Sequence, residues 1–503
     1  FADFEDPAAI ALGDLASTSF SIEAKGASVE AGLTLNVSKS ILTDSIGSLL
    51  DEAYVRAFAG PIVLEGGLLK VSWGKADSMG PLNVLNPMDY SDLSVTDERS
   101  RRIAEPMFHA SAALGASSKL ELVFLPGFEG DQYAWDGAWA PKIIKDMKQK
   151  AYDNFYKGSD PSANGGIGNG LYAAYYSSAW STAYSAAYSG ACEKAYADAY
   201  AAAYKAAYNQ CLAYGYSATQ AATAASTAAV TAATQAVRDN AYLLEHAAKA
   251  KATELADAQA TTIESQAKAA ADARVEDLLV YPDTRKLEYA QGGARFTTSL
   301  GSVDIGLQYF YGLLSKPVVS SDPAVFAAND YHIPVSYNRY HQAGLDLAAV
   351  LVGFNLRAEF AANVTEDLKG DDPGVYNPNL AFSLGFDRDL FAGINLNLQY
   401  AGSYILESAS ITSEYDVEKG ADLFASRLTA ALSQRLFKDA LTWKLAAIWG
   451  VNDEDWLVMP SITYALGDAE IELGAGIFGG DAYGEHGQYA DNSYVKIGIG
   501  YKF

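Results

Sequence analysis

What most limits the folds open to this chain is a repeated run of nine to twelve residues in which apolar and polar side chains alternate strictly. In 303–313, Val303, Ile305, Leu307, Tyr309, Tyr311 and Leu313 fall on one face, with Asp304, Gly306, Gln308 and Gly312 on the other. A period of two is that of a β-strand. The pattern recurs in 354–360, 394–400 and 441–449, and the chain closes with Val495, Ile497, Ile499, Tyr501 and Phe503 alternating with Lys496, Gly498, Gly500 and Lys502. Strands of soluble sandwiches usually run about 5–6 residues, whereas crossing a bilayer at a tilt takes about 9–11. The apolar face also carries aromatics near strand ends (Trp443, Trp449, Tyr400, Tyr404, Tyr464, Tyr501), where interfacial girdles sit. These features predict an all-β transmembrane antiparallel barrel rather than a secreted β-protein.

The closing segment SYVKIGIGYKF resembles the last strand of bacterial outer-membrane barrels. That resemblance implies that Tyr501 and Phe503 act as an assembly signal, with the outer-membrane assembly machinery and the lipid and lipopolysaccharide of that membrane as partners. Walking back from Phe503 gives seventeen candidate strands, and single-chain bacterial barrels are even-numbered. Sixteen are expected, with 17–25 discounted; eighteen would need a further strand in residues 1–14. Turns such as LGSV, FKDA and LGDA are short and assigned to the periplasm, and the long connections near 39–51, 75–105, 127–287, 315–337, 365–376, 405–421 and 481–492 are assigned outward.

Composition closes other routes. With 36 Lys+Arg against 61 Asp+Glu the formal charge is −25, so the basic face of a nucleic-acid binder is missing. No window of about 20 strongly apolar residues exists for a membrane helix; the Ala-rich stretch 218–236 is diluted with Thr, Ser and Gln. An opening Phe1 rather than Met leads us to expect a mature chain whose targeting segment has been removed. His109, His246, His332, His341 and His486 form no metal-ligand spacing, and there is no GxSxG or Gly-rich phosphate loop, so neither an enzyme nor a cofactor is expected. EDLKGDDPG and GDAYGEHGQYADN offer oxygen ligands of the kind Ca²⁺ takes, but without the spacing of a defined calcium loop they read as solvated turns.

Between the barrel segments 1–128 and 288–503, residues 129–287 change character. After the Gly-rich SDPSANGGIGNG, large residues recur every fourth position: Tyr172, Tyr176, Trp180, Tyr184, Tyr188, Cys192, Tyr196, Tyr200, Tyr204, Tyr208 and Leu212. Side chains at i and i+4 stack along a helix, and the interleaved Ala favours one. Because 4.0 exceeds 3.6, each step advances the stripe by about 40°, so it winds around the helix. It needs partners on several sides, or one that wraps with it. Gly215 with Ser217 as N-cap reads as a break. A second helix is expected over 218–279, with Val230, Val237 and Leu244 at heptad spacing, and a lead-in helix near 142–156. The expectation is a long helical hairpin or coiled coil lying on the cell surface, its helix propensity and apolar stripe arguing against disorder. On one helix Cys192 and Cys211 would be roughly 28 Å apart, too far for a disulfide; buried free thiols or bonds between chains remain. An exposed aromatic stripe exceeds what monomers usually show, so a homo-oligomer is expected, with Tyr184, Tyr188, Tyr196, Tyr200 and Tyr204 touching another subunit.

The loop SWGKADSMGPLNVLNPMDYSDLS, through Trp73, Gly74, Asp77, Asn86, Pro87, Asp89 and Tyr90, resembles a pattern in Gram-negative outer-membrane porins distantly related to alginate-export channels. The resemblance implies a barrel whose long early loop folds inward and narrows the pore. The residues themselves set Lys75, Arg99, Arg101 and Arg102 beside Asp77, Asp89, Asp92 and Asp97, charges that could equally solvate an outward loop. The strand charges Arg295, Arg357, Glu359, Arg427, Arg435 and Lys444 are assigned to the lumen, because a charge on the lipid face costs about 2–4 kcal/mol at mid-membrane. Without the insert about 340 residues remain, enough for sixteen strands around an aqueous path. A passive channel for small solutes is therefore expected; a structural anchor for a helical surface appendage, serving envelope assembly or adhesion, is the alternative.

Overall fold

The computed structural model describes residues 17–38, 41–42, 46–78, 80–157 and 170–501. Seventeen strands form one antiparallel sheet in which each pairs with its neighbours along the chain. They are β1 (Ser17–Lys25), β2 (Val29–Ser38), β3 (Leu50–Ala59), β4 (Ile62–Leu69), β5 (Glu105–Leu114), β6 (Ser118–Leu125), β7 (Gln291–Leu300), β8 (Val303–Leu313), β9 (Arg339–Leu351), β10 (Phe354–Thr365), β11 (Asn379–Asp389), β12 (Ile394–Ile405), β13 (Phe424–Leu436), β14 (Leu441–Gly450), β15 (Asp455–Leu466), β16 (Ala469–Gly479) and β17 (Tyr494–Tyr501).

The expected sixteen is corrected. Ser17–Lys25 pairs along its whole length with Val29–Ser38, and Ser21 and Thr34 form a cross-strand hydroxyl pair at 3.1 Å. With an odd number of antiparallel strands, β1 and β17 run the same way, and they do not pair among the described residues. The eighteenth strand considered for 1–14, the terminal Phe503 and the Gly-rich stretch 159–169 lie outside the described residues. Tight turns close one end of the sheet, left-handed glycines such as Gly60, Gly301 and Gly467 among them. The other end carries the long connections, with 451–454 as a short exception.

Burial is inverted relative to a water-soluble protein. In β5, Phe108 is 63% exposed while its neighbours Met107 and His109 are buried; in β6, Leu122 is 51% exposed while Glu121 and Val123 are buried. An apolar outward face and a buried, charged inward face are what a bilayer outside and a polar lumen inside select. The wall is built like that of a transmembrane β-barrel. β6 and β7, which flank the helical insert in sequence, pair directly, so the insert leaves and rejoins the wall without interrupting it.

Residues 146–278 make a second compact unit, and 1–145 with 279–503 make the first. The boundary therefore falls inside the expected insert 129–287: Trp139 packs with Phe478, Tyr489 and Tyr494 of the barrel unit at 5.6, 5.8 and 6.0 Å between ring centres. The helices are α1 (Lys142–Lys157), α2 (Leu171–Ala213), α3 (Ala218–Asp239), α4 (Ala241–Ala258) and α5 (Ala260–Glu276). Gly215, at φ +83°, ends α2, and Ser217 with Gln220 forms a capping box that starts α3. Cys192 and Cys211 are both free and half-buried on the unbroken α2.

Two expectations for the return path are corrected. It is three helices rather than one, interrupted at Asn240 and Gln259, and its seam is not the heptad: Val230 is 47% exposed. The buried column is instead Ala221, Ala225, Ala229 and Ala233, then Ala248, Ala252 and Ala256, then Ile263, Ala267, Ala271 and Val275. Flat rings on α2 call for a shallow partner, and alanine supplies it throughout α3 and α4, with Ile263 and Val275 entering the column only in α5. The rings stack on one another, Trp180 on Tyr184 at 5.2 Å, Tyr184 on Tyr188 at 5.9 Å, Tyr200 on Tyr204 at 6.1 Å. Across the antiparallel seam Tyr176 donates to Asp257 at 2.7 Å and Trp180 Nε1 to Thr253 at 3.1 Å. The chain's own helices thus meet part of the stripe; Tyr184, Tyr188, Tyr200 and Tyr204 are half-buried and Tyr196 is exposed.

Candidate functional site

Two features share the inward face. The first is a belt of charges set by strand register. Glu30 stands opposite Arg56, Arg56 opposite Glu65, Glu65 opposite His109, and Glu121 opposite Arg295. Opposite charges facing one another across strands attract, and here the signs alternate. Arg56 donates to Glu30 at 3.2 Å and to Glu65 at 2.6 Å, and His109 Nδ1 meets Glu65 at 2.8 Å. His109 Nε2 lies 3.3 Å from Glu121, an ion-pair distance without hydrogen-bond geometry. Lys119 binds Glu121 at 2.8 Å and Arg295 binds Asp346 at 2.7 Å. Charges this poorly hydrated are tolerable only when paired, which is how the belt is built.

The second feature is the connection 70–104 between β4 and β5. It starts and ends on those strands, yet its middle is fastened to β8, β9, β10 and β12, so it crosses the inward face. Gln308 donates to the Leu82 carbonyl at 2.9 Å and Gln342 to the Pro81 carbonyl at 3.0 Å. Glu359 accepts from the backbone amides of Lys75, Ala76 and Leu82, and Gln399 exchanges hydrogen bonds with the Ser78 backbone. Asp77 pairs with Arg357 and accepts from Asn397 at 2.6 Å. At the root, Asn86 accepts from Val71 N at 2.8 Å and donates to the Leu69 and Ile103 carbonyls at 2.8 and 2.9 Å, while Trp73 packs edge-on against Phe310.

Farther along, Asp89–Tyr90 pairs in parallel with Gln132–Tyr133, the two tyrosines stack at 5.4 Å, and Arg101 lies 5.6 Å from the Tyr90 ring centre. Burial raises the Tyr90 phenol above its ordinary range. The connection 480–493 is tied in similarly: Asp455 accepts from the His486 and Gly487 amides, and Arg427 pairs with Glu485. Burial, helped by Arg427 and Arg101 against the pull of Asp455, holds the His486 imidazole down to about 4.

The candidates named from sequence are thus divided. Lys75, Asp77 and Arg357 are together where the loop meets the wall, Lys75 with its Nζ 3.9 Å from Asp304. Arg99 pairs with Glu52 at 2.9 Å and Arg102 with Glu98 at 2.6 Å. Asp89 and Arg101 sit at the tyrosine pair, and Arg427 faces the 480–493 connection. Arg435 and Lys444 are exposed. Glu359 and Arg295 are at 1% and 4% exposure, Glu359 under the 75–82 turn and Arg295 against Asp346. Sequence reasoning passed over Arg56, Glu65, His109 and Glu121, although Glu121 between Leu120 and Leu122 carries the same pleat signal that located Lys444. In EDLKGDDPG, Asp367 accepts from the Lys369 and Asp372 amides at 3.1 and 2.8 Å, so that carboxylate folds its own turn.

No family model and no curated protein matches the chain. Among solved structures it is similar to Wzi of Escherichia coli, an outer membrane protein involved in group 1 capsule assembly and described as a carbohydrate binding β-barrel: 8% identity, 96% of this chain and 76% of that one, TM-score 0.39. It is also similar to Pseudomonas aeruginosa OccK11 (OpdR), at 10% identity over 96% of this chain and 87% of that one, TM-score 0.38. Acinetobacter baumannii OccAB4 is similar at 8% identity over 96% and 88%, TM-score 0.38.

Proposed function

We propose that this chain is an outer-membrane channel through which small solutes diffuse passively past a charged constriction. The observation that carries the reading is the connection 70–104 lying across a charged inward wall and held there by side chains of β8, β9, β10 and β12. A loop fixed in this way narrows the path, and the Lys75, Asp77 and Arg357 group sets the local field that screens permeants by charge. Purified protein in planar bilayers should give discrete conductance steps, and Asp77→Asn should shift the reversal potential in a salt gradient toward anion preference. A protein that inserts and gives no steps would refute the channel.

The insert supports an additional role. Its aromatic stripe keeps Tyr184, Tyr188, Tyr196, Tyr200 and Tyr204 partly uncovered after packing on the alanine helices, and a second copy is the partner we propose for them, with the insert at the cell surface. A barrel serving only to anchor that appendage would assemble normally and conduct nothing, so the bilayer recording separates the two roles.

A further inference from the structure

We propose that Glu359 is the positioning residue of the constriction, a single carboxylate seated in a cradle of backbone amides that fastens the loop to the wall. The inference deepens the channel reading and rests on it for its consequence in permeation. Four observations on one side chain support it. Glu359 is 1% exposed, so it does not meet solutes directly. Its Oε1 accepts from the consecutive amides of Lys75 and Ala76, the latter at 2.6 Å, and its Oε2 accepts from Leu82 at 3.4 Å. It therefore ties both limbs of one turn. The two glycines of that turn face it: Gly74 holds φ +99°, and a Cβ on Gly80 would lie 2.6 Å from Oε2.

Consecutive backbone N–H groups of this kind form an anion-binding concavity, and hydrogen bonds to an ionised acceptor are roughly twice as strong as neutral ones. Around it the turn is held by the neutral amides of Gln308, Gln342 and Gln399 and by the Asp77–Arg357 pair. Among the described residues, Glu359 is thus the anion that several amides of this turn share. Removing its carboxylate empties the cradle and leaves a space suited to a small carboxylate from solution.

The test is hydrogen exchange of the loop peptide 73–83 in detergent-solubilised full chain, with β13 to β16 as internal control. In Glu359→Ala the Lys75, Ala76 and Leu82 amides should exchange about tenfold or more faster, the loss expected for hydrogen bonds to a charged group. Formate, but not chloride, should return them toward wild type. Glu359→Gln, which keeps the shape without the charge, should lie between. In Gly80→Ala the added Cβ occupies the cradle, so exchange should rise and formate should not reverse it. Unchanged loop exchange in Glu359→Ala, or a rise shared by the control strands and indifferent to formate, would overturn the assignment. Conductance is scored separately: the loop exchange as predicted with no wild-type current retains the fastening role and refutes the channel.

Discussion

Leu445 and Lys444 are adjacent in β14 and point to opposite faces, which makes them a sensitive probe of the wall. Leu445 is 42% exposed, flanked across the strands by Leu432 and Pro460, while Lys444 stands on the pleat shared by the buried Ala446. A ten-residue strand rising about 3.4 Å per residue is about 34 Å long, and at a tilt of about 40° it covers about 25 Å, the height of the apolar band. Leu445 is the fifth residue of that strand, so it sits near mid-membrane. Leu445→Lys should cost about 2–4 kcal/mol for the charge, with about 1 kcal/mol more for the lipid-facing apolar surface that lysine fails to replace. Lys444→Leu exchanges one lumenal group for another and should stay within about 0.5 kcal/mol, while altering ion selectivity. Urea titration of folding into phospholipid vesicles, read by heat-modifiable migration, measures both. Equal shifts of the midpoint in the two variants would refute the face assignment.

Three further outcomes are expected. Deleting Phe503 should lower outer-membrane levels far more than deleting a residue of the 406–423 connection, and wild-type levels of the truncated chain would refute the assembly signal. Replacing Tyr184, Tyr188, Tyr196, Tyr200 and Tyr204 with Ser should leave the barrel inserted but convert oligomers to monomers in native mass spectrometry; a monomeric wild type would end that proposal. His486 has its folded pKa depressed to about 4, below the ordinary 6.5, so its neutral form contributes stability fully present above about pH 6.5 and lost as pH falls through about 4. Exchange protection of 480–493 should fall across that window, and His486→Gln should flatten the dependence.

The wall was legible because alternation is local: Lys444 between Trp443 and Leu445 needs no knowledge of the partner strand. The belt was not, since Glu121 and Arg295 meet only through pairing across the whole insert, and register between distant segments leaves no mark in either. Gln308, Gln342 and Gln399 were hidden for a different reason. A glutamine on a wet pleat reads the same whether it faces water or a loop carbonyl. Helix positions and the Gly215 break in the insert were legible from propensity and caps, but Val230, Val237 and Leu244 drew attention by size while the seam chose alanine for its shallowness.

The four-residue spacing constrains how such an insert can lengthen. A single residue added within α2 would rotate everything beyond it by about 100° and turn the rings away from their alanines. Whole tetrads keep the rings in phase, provided the return path gains one as well. Asn240 and Gln259 act as phase corrections: Ala233 to Ala248 spans fifteen residues and Ala256 to Ile263 seven, each one short of a multiple of four. A spacing longer than 3.6 also sets the hand of winding as right-handed, opposite to a heptad coil. Length variants of this hairpin should therefore come in steps of four, matched on both limbs, with any odd residue placed at one of those two interruptions.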